Sequence, residues 1–482
     1  MKPRIHNLKE RGIAVIMTAL TLVFLIPIVG LGIDAGLLYL AKAKLTSACD
    51  AGALAAARSL NRGLTLADQE ASATNRALSF FDANFPPGFL QSSSRTRSVT
   101  VSETAYRLRT VVVTATSVQP VYFMRLLGFD TVTIGASGRA NRRDVNLMMV
   151  LDRSGSMATS NSCEPMKTAA REFLTYFANG RDRLGLITFS SSFTMGVSPT
   201  MNFFTTMDTA IANISCTGGT TTSAAVSEAY NQIVNINEAG VLNMIVLFTD
   251  GLANGLYASF PVKTQTDTRY GNGESSYSSL STLYSMLPGG CRDSSNRQYP
   301  NAAWAPANKE GIMIGGDSST GSSWGLYRPN SSTESVIADS SGCAMASNGA
   351  NRYRRDIAYI PDYDYYGNNT RCCYVTPATF TSGPYANSIR PDRPISVQNA
   401  ALNAADSLAN RSRNNLTLKP VIYTIGLGTD VDATLLRRMA NDPASPIYDP
   451  NKQIGLYAYA PNAADLSRAF AQIASEILRL AR

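Results

Sequence analysis

The sequence is almost without histidine. The single one, His6, lies in the extreme N-terminal tail. The body of the chain therefore has no imidazole for general acid–base work and no histidine ligand for a zinc site. Cysteine is scarce, and its spacing excludes more than its number. The seven are Cys49, Cys163, Cys216, Cys291, Cys343, Cys372 and Cys373. None stands at zinc-ribbon or Cys-x-x-Cys spacing, which removes the common metal and redox motifs. Blocks of one charge are also missing. The 43 basic and 35 acidic residues leave a net charge of +8, spread along the chain. Such a balance favours anionic lipid or wall polymer over nucleic acid, and no RNA- or DNA-binding motif appears.

What is present is a folded protein of several parts. At 482 residues, with 44% hydrophobic and 16% charged residues, the chain is long enough for two or more domains. Residues 1–12 form a basic tail, with Lys2, Arg4, Lys9 and Arg11 against Glu10. From Ile13 to Ile33 there are 21 residues without a charge, a length that spans a bilayer as a helix. The basic tail places the N-terminus in the cytoplasm and the rest outside. A cleaved signal peptide would have a shorter apolar core ending at a small-residue site. Here the run merges into an Ala-rich helix over residues 34–63. Pro27, Gly30 and Gly32 are positions where the span can kink or admit another helix, a route to homo-oligomers.

Residues 64–143 read as a small α+β module. A helix from Ala67 to Phe81 is stopped by Pro86-Pro87-Gly88. Strands follow at Ser98–Val101, Tyr106–Thr116 and Thr131–Ile134, with a short helix or turn over Val121–Gly128. Asn141-Arg142-Arg143 reads as a polar joint.

From residue 144 the pattern changes to α/β. Leu147 to Leu151 has no polar break, as a strand covered on both faces requires. Its carboxyl end carries Asp152-x-Ser154-x-Ser156, and that edge of an open α/β sheet is where ligands bind. Alone, these residues read equally well as a capped helix start. Two further stretches join them. Cys216-Thr-Gly218-Gly219-Thr220 opens an Ala-rich helix, and Met244–Phe248 is a second buried strand ending in Thr249-Asp250-Gly251. Five oxygen donors on three loops of one edge suit a hard divalent cation.

This arrangement resembles the von Willebrand factor type A domain and its metal-ion-dependent adhesion site. The resemblance implies a doubly wound, mostly parallel sheet. It implies Mg²⁺ (or Mn²⁺ or Ca²⁺) ligated directly by Ser154, Ser156 and Thr220, and largely through water by Asp152 and Asp250. Mg²⁺ keeps exchangeable waters, so one position is left for a partner's acidic side chain. The only acids in reach of such a metal, Asp152 and Asp250, are already committed to it, which argues against an enzyme.

The N-terminal region is similar to TadE/TadG-like proteins of the tight-adherence (Flp) pilus-assembly system. The matching residues are Arg11-Gly12 before the apolar run, Gly32-x-Asp34-x-Gly36 after it, and Asp50-Ala-Gly-Ala-Leu-Ala-Ala-Ala57, in which Gly52, like the preceding Cys49, stands where alanine is expected. Val121 to Ala140 is similar to the membrane-proximal part of the same family. This implies an inner-membrane protein with the bulk of its chain periplasmic. Its partners are then pilus-assembly or envelope proteins and the cell wall. The alternative is an adhesin displayed on the surface or carried by the pilus.

Helices are expected at Met166–Phe177, Ser223–Val234, Val397–Ala409, Ala433–Met439 and Ala463–Leu480. Further strands are expected at Arg183–Phe189, Val421–Gly426 and Leu456–Tyr459. Residues 255–395 form an insertion rich in Ser, Asn, Gly and Tyr. A loop of that length needs bracing, and because it leaves the Asp250 loop it emerges on the metal face, either to cover or extend the ligand-binding surface or as a tolerated decoration. Cys163 and Cys216 flank the two metal loops and are predicted to pair. Cys291, Cys343, Cys372 and Cys373 then form two bridges within the insertion, in an oxidising compartment. Cys49 is left as a buried thiol or a contact between chains. Asp362-Tyr-Asp364-Tyr-Tyr-Gly367-Asn368 loosely suggests a calcium loop, without the distal glutamate of an EF-hand.

Overall fold

The computed structural model describes residues 8–261, 308–314, 326–329, 352–353, 360–376 and 394–480. They form two compact units that divide in sequence between Arg143 and Asp144.

In the first unit, α1 (Leu8–Ser59) is one unbroken helix with Pro27 inside it. The apolar run and the Ala-rich stretch are therefore a single rod, about 78 Å long at 1.5 Å per residue. Its N-terminal part is long and apolar enough to cross a membrane, and is almost wholly exposed. The Ala-rich part is the part that packs. Ala41, Leu45, Ala48, Cys49, Ala53 and Ala56 lie against α2 (Leu66–Asn84) and an antiparallel sheet of β1 (Ser94–Ala105), β2 (Leu108–Pro120) and β3 (Thr131–Arg143). Small residues permit close approach, and at Gly138 of β3 a Cβ would overlap the Cys49–Asp50 backbone. Cys49 is a buried free thiol in this core. Asn141–Arg143 corrects the expectation of a polar joint, because it is strand. Asn141 pairs with Thr110, whose hydroxyl donates to Asn141 Oδ1 at 2.8 Å. Cross-strand partners of this kind let a polar stretch continue a ladder.

The second unit is an α/β fold. Its strands in chain order are β4 (Val145–Asp152), β5 (Arg183–Phe189), β6 (Phe193–Thr200), β7 (Leu242–Thr249), β8 (Gly255–Pro261), β9 (Asn308–Ile314), β10 (Leu326–Pro329), β11 (Arg352–Tyr353), β12 (Val421–Leu427) and β13 (Tyr457–Ala460). Its helices are α3 (Gly155–Thr159), α4 (Cys163–Leu174), α5 (Phe204–Ala212), α6 (Thr222–Ile236), α7 (Pro394–Arg413), α8 (Ala433–Ala440) and α9 (Leu466–Leu480). The main sheet runs β13-β12-β7-β4-β5-β6, all parallel except β6. Every residue of β4 and of β12 is buried. Met148, Val150, Ile245, Leu247 and Ile422 pack on one face among residues of α6, α7 and α8. On the other, the Phe470 ring of α9 lies 6.0 Å from Phe248 and 5.5 Å from Phe173 of α4.

The described part of the insertion carries a second sheet, β11-β10-β9-β8, antiparallel throughout. Ala224 of α6 clusters with Tyr257, Ile312 and Ile314 of this sheet. Cys372 is bonded to Cys373, while Cys291 and Cys343 lie outside the described residues. The suggested calcium loop is instead a closed turn. Asp364 Oδ1 accepts from the amides of Tyr366 and Asn368 at 2.9 and 2.8 Å, and Oδ2 accepts from the Asn368 side chain at 2.8 Å. Asp362 pairs with Arg371 at 3.0 Å.

Candidate functional site

The sheet register sets the geometry. Leu151 of β4 is level with Phe248 of β7, so Asp152 and Thr249 emerge side by side at the carboxyl edge. Thr249 Oγ1 donates to Asp152 Oδ2 at 2.6 Å. The amide of Ser154 donates to Asp152 Oδ1 at 2.8 Å, closing a short turn. Ser154 then occupies the N-cap of α3, yet its hydroxyl makes no capping bond. It lies 2.9 Å from Ser156 Oγ and donates to Asp250 Oδ1 at 3.3 Å. Ser156 Oγ donates to the same oxygen at 2.7 Å. Ser154 at the start of α3 and Ser156 within it thus turn their hydroxyls toward a carboxylate on another loop, and neither serves as a plain helix cap.

Thr220 arrives on the third loop. The place where a side chain on Gly251 would begin is 3.8 Å from both Ser156 Oγ and Thr220 Oγ1, so the threonine hydroxyl faces the same small space. All five residues singled out from sequence, Asp152, Ser154, Ser156, Thr220 and Asp250, come together. Asp152, Ser154, Thr220 and Asp250 are buried and Ser156 is exposed, giving the cluster a protected floor and an open lip.

The loops are laced to one another. Gly155 N donates to Gly218 O at 2.8 Å and Thr217 N to Arg153 O at 2.7 Å. Gly218 has φ +95°, a conformation glycine adopts without strain, in a position where a Cβ would strike the Ser191 hydroxyl. The predicted Cys163–Cys216 disulfide is present and joins α4 to the residue before this loop. Sequence reading missed three supports. Ser191, just past β5, accepts from Gly219 N at 2.8 Å through Oγ and from Thr221 Oγ1 at 3.0 Å through its carbonyl. Asn254 accepts from Thr220 N at 2.8 Å through Oδ1, and its own amide donates to Thr220 O at 2.9 Å. Gly255, the insertion's first residue, donates its amide to the same Thr220 oxygen at 3.0 Å, so the insertion begins by clamping Thr220. Asp430, after β12, adds its negative field at Asp250. Only the Ser190-Ser191-Ser192 run after a predicted strand was a visible signal.

The electrostatics are one-sided. Burial, and then the nearby charge of Asp250, push the Asp152 carboxyl up to about 7. Burial likewise raises that of Asp250. What opposes these shifts is hydrogen bonding from hydroxyls and amides, and among the described residues no basic side chain stands beside it. Among the described residues no group of three or more His, Cys, Asp and Glu side chains is placed to hold a metal. The donor set is mixed carboxylate and hydroxyl, the chemistry of a hard, oxygen-seeking dication rather than of zinc.

Residues 147–252 match the family model for the von Willebrand factor type A domain. Residues 12–59 match that for the putative Flp pilus-assembly TadE/G-like family. No curated protein matches the chain. Among solved structures it is similar to the pilus adhesin SpaC from Lactobacillus rhamnosus GG, at 15% identity and TM-score 0.34, over 80% of this chain and 35% of that one. It is similar to the vWF domain of the type V pili tip protein Mfa5 from Porphyromonas gingivalis, at 19% identity and TM-score 0.34, over 71% and 97%. The PilB minor pilin from Streptococcus sanguinis matches at 13% identity and TM-score 0.32, over 80% and 79%. The chain thus spans about a third of the length of SpaC.

Proposed function

We propose that this chain, which joins a TadE/G-like N-terminal segment to a von Willebrand factor type A domain, is a pilus-assembly protein held in the inner membrane by α1. Its type A domain lies outside the cytoplasm and grips a partner through Mg²⁺ at the sheet edge. Ser154, Ser156 and Thr220 would hold the ion directly, with Asp152 and Asp250 behind them. The bound ion supplies a Lewis-acidic position for an acidic side chain of another pilus or envelope protein. The observation that carries this reading is the meeting of three hydroxyls with two buried carboxylates that no basic side chain of the described residues neutralises. A dication would remove that imbalance. Asp152 and Asp250 are both engaged in the cluster, which supports binding rather than turnover.

Calorimetry of residues 144–480 with Mg²⁺ or Mn²⁺ tests it. One site is expected, weakened at least about tenfold in Ser154→Ala and in Thr220→Ala, the usual scale for losing a ligand or its support. Indifference of both variants to the substitution counts against the site. A displayed adhesin remains the second reading, since pilus tip and adhesin proteins are among the similar structures. Fractionation separates the two: retention in the inner membrane for the first, exposure on the surface or filament for the second.

A further inference from the structure

The loop between β2 and β3 is pinned to α1 at the end of its apolar run. Asp34, the first charged residue after that run, is buried, and its carboxylate accepts from three consecutive amides. These are Tyr122 N at 2.9 Å, Phe123 N at 2.8 Å and Met124 N at 2.7 Å. One turn earlier, Gly30 receives the Phe123 ring, which a Cβ there would overlap. Gly30, expected to admit another helix, admits this loop instead. Gly30 lies about 6 Å before Asp34 along the helix, toward its N-terminus and inside the stretch that crosses the membrane. The loop then turns back through the short 3-10 helix Met124–Leu127 and Gly128, and Val121 N closes it on Asp130 O.

Four of its other side chains are exposed in the structure. Leu126 is 72% exposed, Leu127 63%, Phe129 55% and Tyr122 48%. On a soluble face such a cluster would be a liability. Ile28, Val29 and Ile33, in the same stretch of α1 as Gly30, are also exposed, and a bilayer spanned by α1 covers both at one level. The only formal charges in the 3-10 segment and after it, Arg125 and Asp130, pair with each other at 2.9 Å. The triple amide bond to Asp34 satisfies a carboxylate that would otherwise be costly at this level.

We propose that this loop is a second membrane contact. Tyr122, Leu126, Leu127 and Phe129 sit in the outer leaflet at the boundary of headgroups and acyl chains, where aromatic and aliphatic anchors concentrate. The proposal goes beyond the metal-site reading and needs only that α1 spans the bilayer. It gives the three-stranded sheet a fixed tilt on the membrane, held at α1 and at the loop.

The test uses the full chain in lipid nanodiscs, with Trp304→Phe and Trp324→Phe removing the native tryptophans. Single tryptophans are then introduced as Leu127→Trp, Phe24→Trp and Tyr106→Trp. Tyr106 is exposed in the β1–β2 turn, about 40 Å along β2 from the loop. Lipids brominated shallowly or deeply on the acyl chain act as quenchers. Leu127→Trp should emit to the blue and be quenched severalfold more by shallow than by deep bromines. Phe24→Trp should be quenched by deep bromines and Tyr106→Trp by neither. Unquenched Leu127→Trp beside quenched Phe24→Trp overturns the proposal and leaves the patch to water or to a protein. Unquenched Phe24→Trp overturns the anchor and the proposal with it.

Discussion

Asp152 shows the conflict built into the proposed site. Buried, and beside Asp250, its charged form is destabilised in the metal-free domain. Asp152→Asn keeps the shape and both neighbours, Ser154 N and Thr249 Oγ1, and removes the charge. Above neutral pH and in chelator, the variant should melt several degrees above the parent chain, a gain on the order of 2 kcal/mol. Added Mg²⁺ should stabilise the parent and leave the variant unchanged; a variant that melts lower in chelator would refute the conflict. Asp364 gives a separate pH dependence. Burial raises its carboxyl to about 6, against hydrogen bonds that favour the anion. A folded-state value above the unfolded one means the folded domain holds the proton more tightly. Stability from this group is therefore present below about pH 4 and is lost as pH rises through about 6. Denaturant melts from pH 4 to pH 7 should show that fall, and Asp364→Asn should flatten it.

At the scale of elements, the legible parts were those whose environment permits one kind of residue. β4, β7 and β12 are covered on both faces and so read as continuous apolar runs. The edge strand β6 exposes one face and contains Gly196 and Pro199, and α5 is only nine residues long; neither leaves a period to detect. The insertion sheet was hidden because its order comes from packing on α6 and α7, not from its own Ser- and Tyr-rich pattern. The five oxygens were legible because each stands a fixed step from a strand end or a glycine pair. Ser191, Asn254 and Asp430 were not, because they act through backbone bonds and field, and only the strand order brings them close. The disulfide was legible from the same edge. It closes a segment of 53 residues, so replacing both cysteines by alanine should cost about 4 kcal/mol by chain entropy. Because Cys216 leads directly into the Gly218–Thr220 loop, Mg²⁺ affinity should also fall severalfold. Calorimetry of that double variant checks both, and unchanged affinity would make the bridge a staple only.

For the whole molecule, the tail, the span and the disulfide make one argument about sides of a membrane. Lys2, Arg4, Lys9 and Arg11 precede the apolar run, and basic residues are retained on the cytoplasmic side. On the proposed topology everything after α1's apolar part is delivered outside, where a disulfide persists. The Cys163–Cys216 bridge then tests that topology without any added tag. In intact cells a membrane-permeant maleimide should leave both cysteines unlabelled, as read by peptide mass mapping, until a reductant is added. Changing all four basic residues to glutamate removes the retention signal while leaving α1's apolar face intact. A fraction of chains should then insert reversed or fail to insert, and in that fraction Cys163 and Cys216 should become labelled. Mg²⁺-dependent capture of an envelope partner should drop in the same proportion, since a domain on the wrong side meets none. Labelling of both cysteines in the unaltered chain would place the domain in a reducing compartment, and the proposed grip on an external partner would fall.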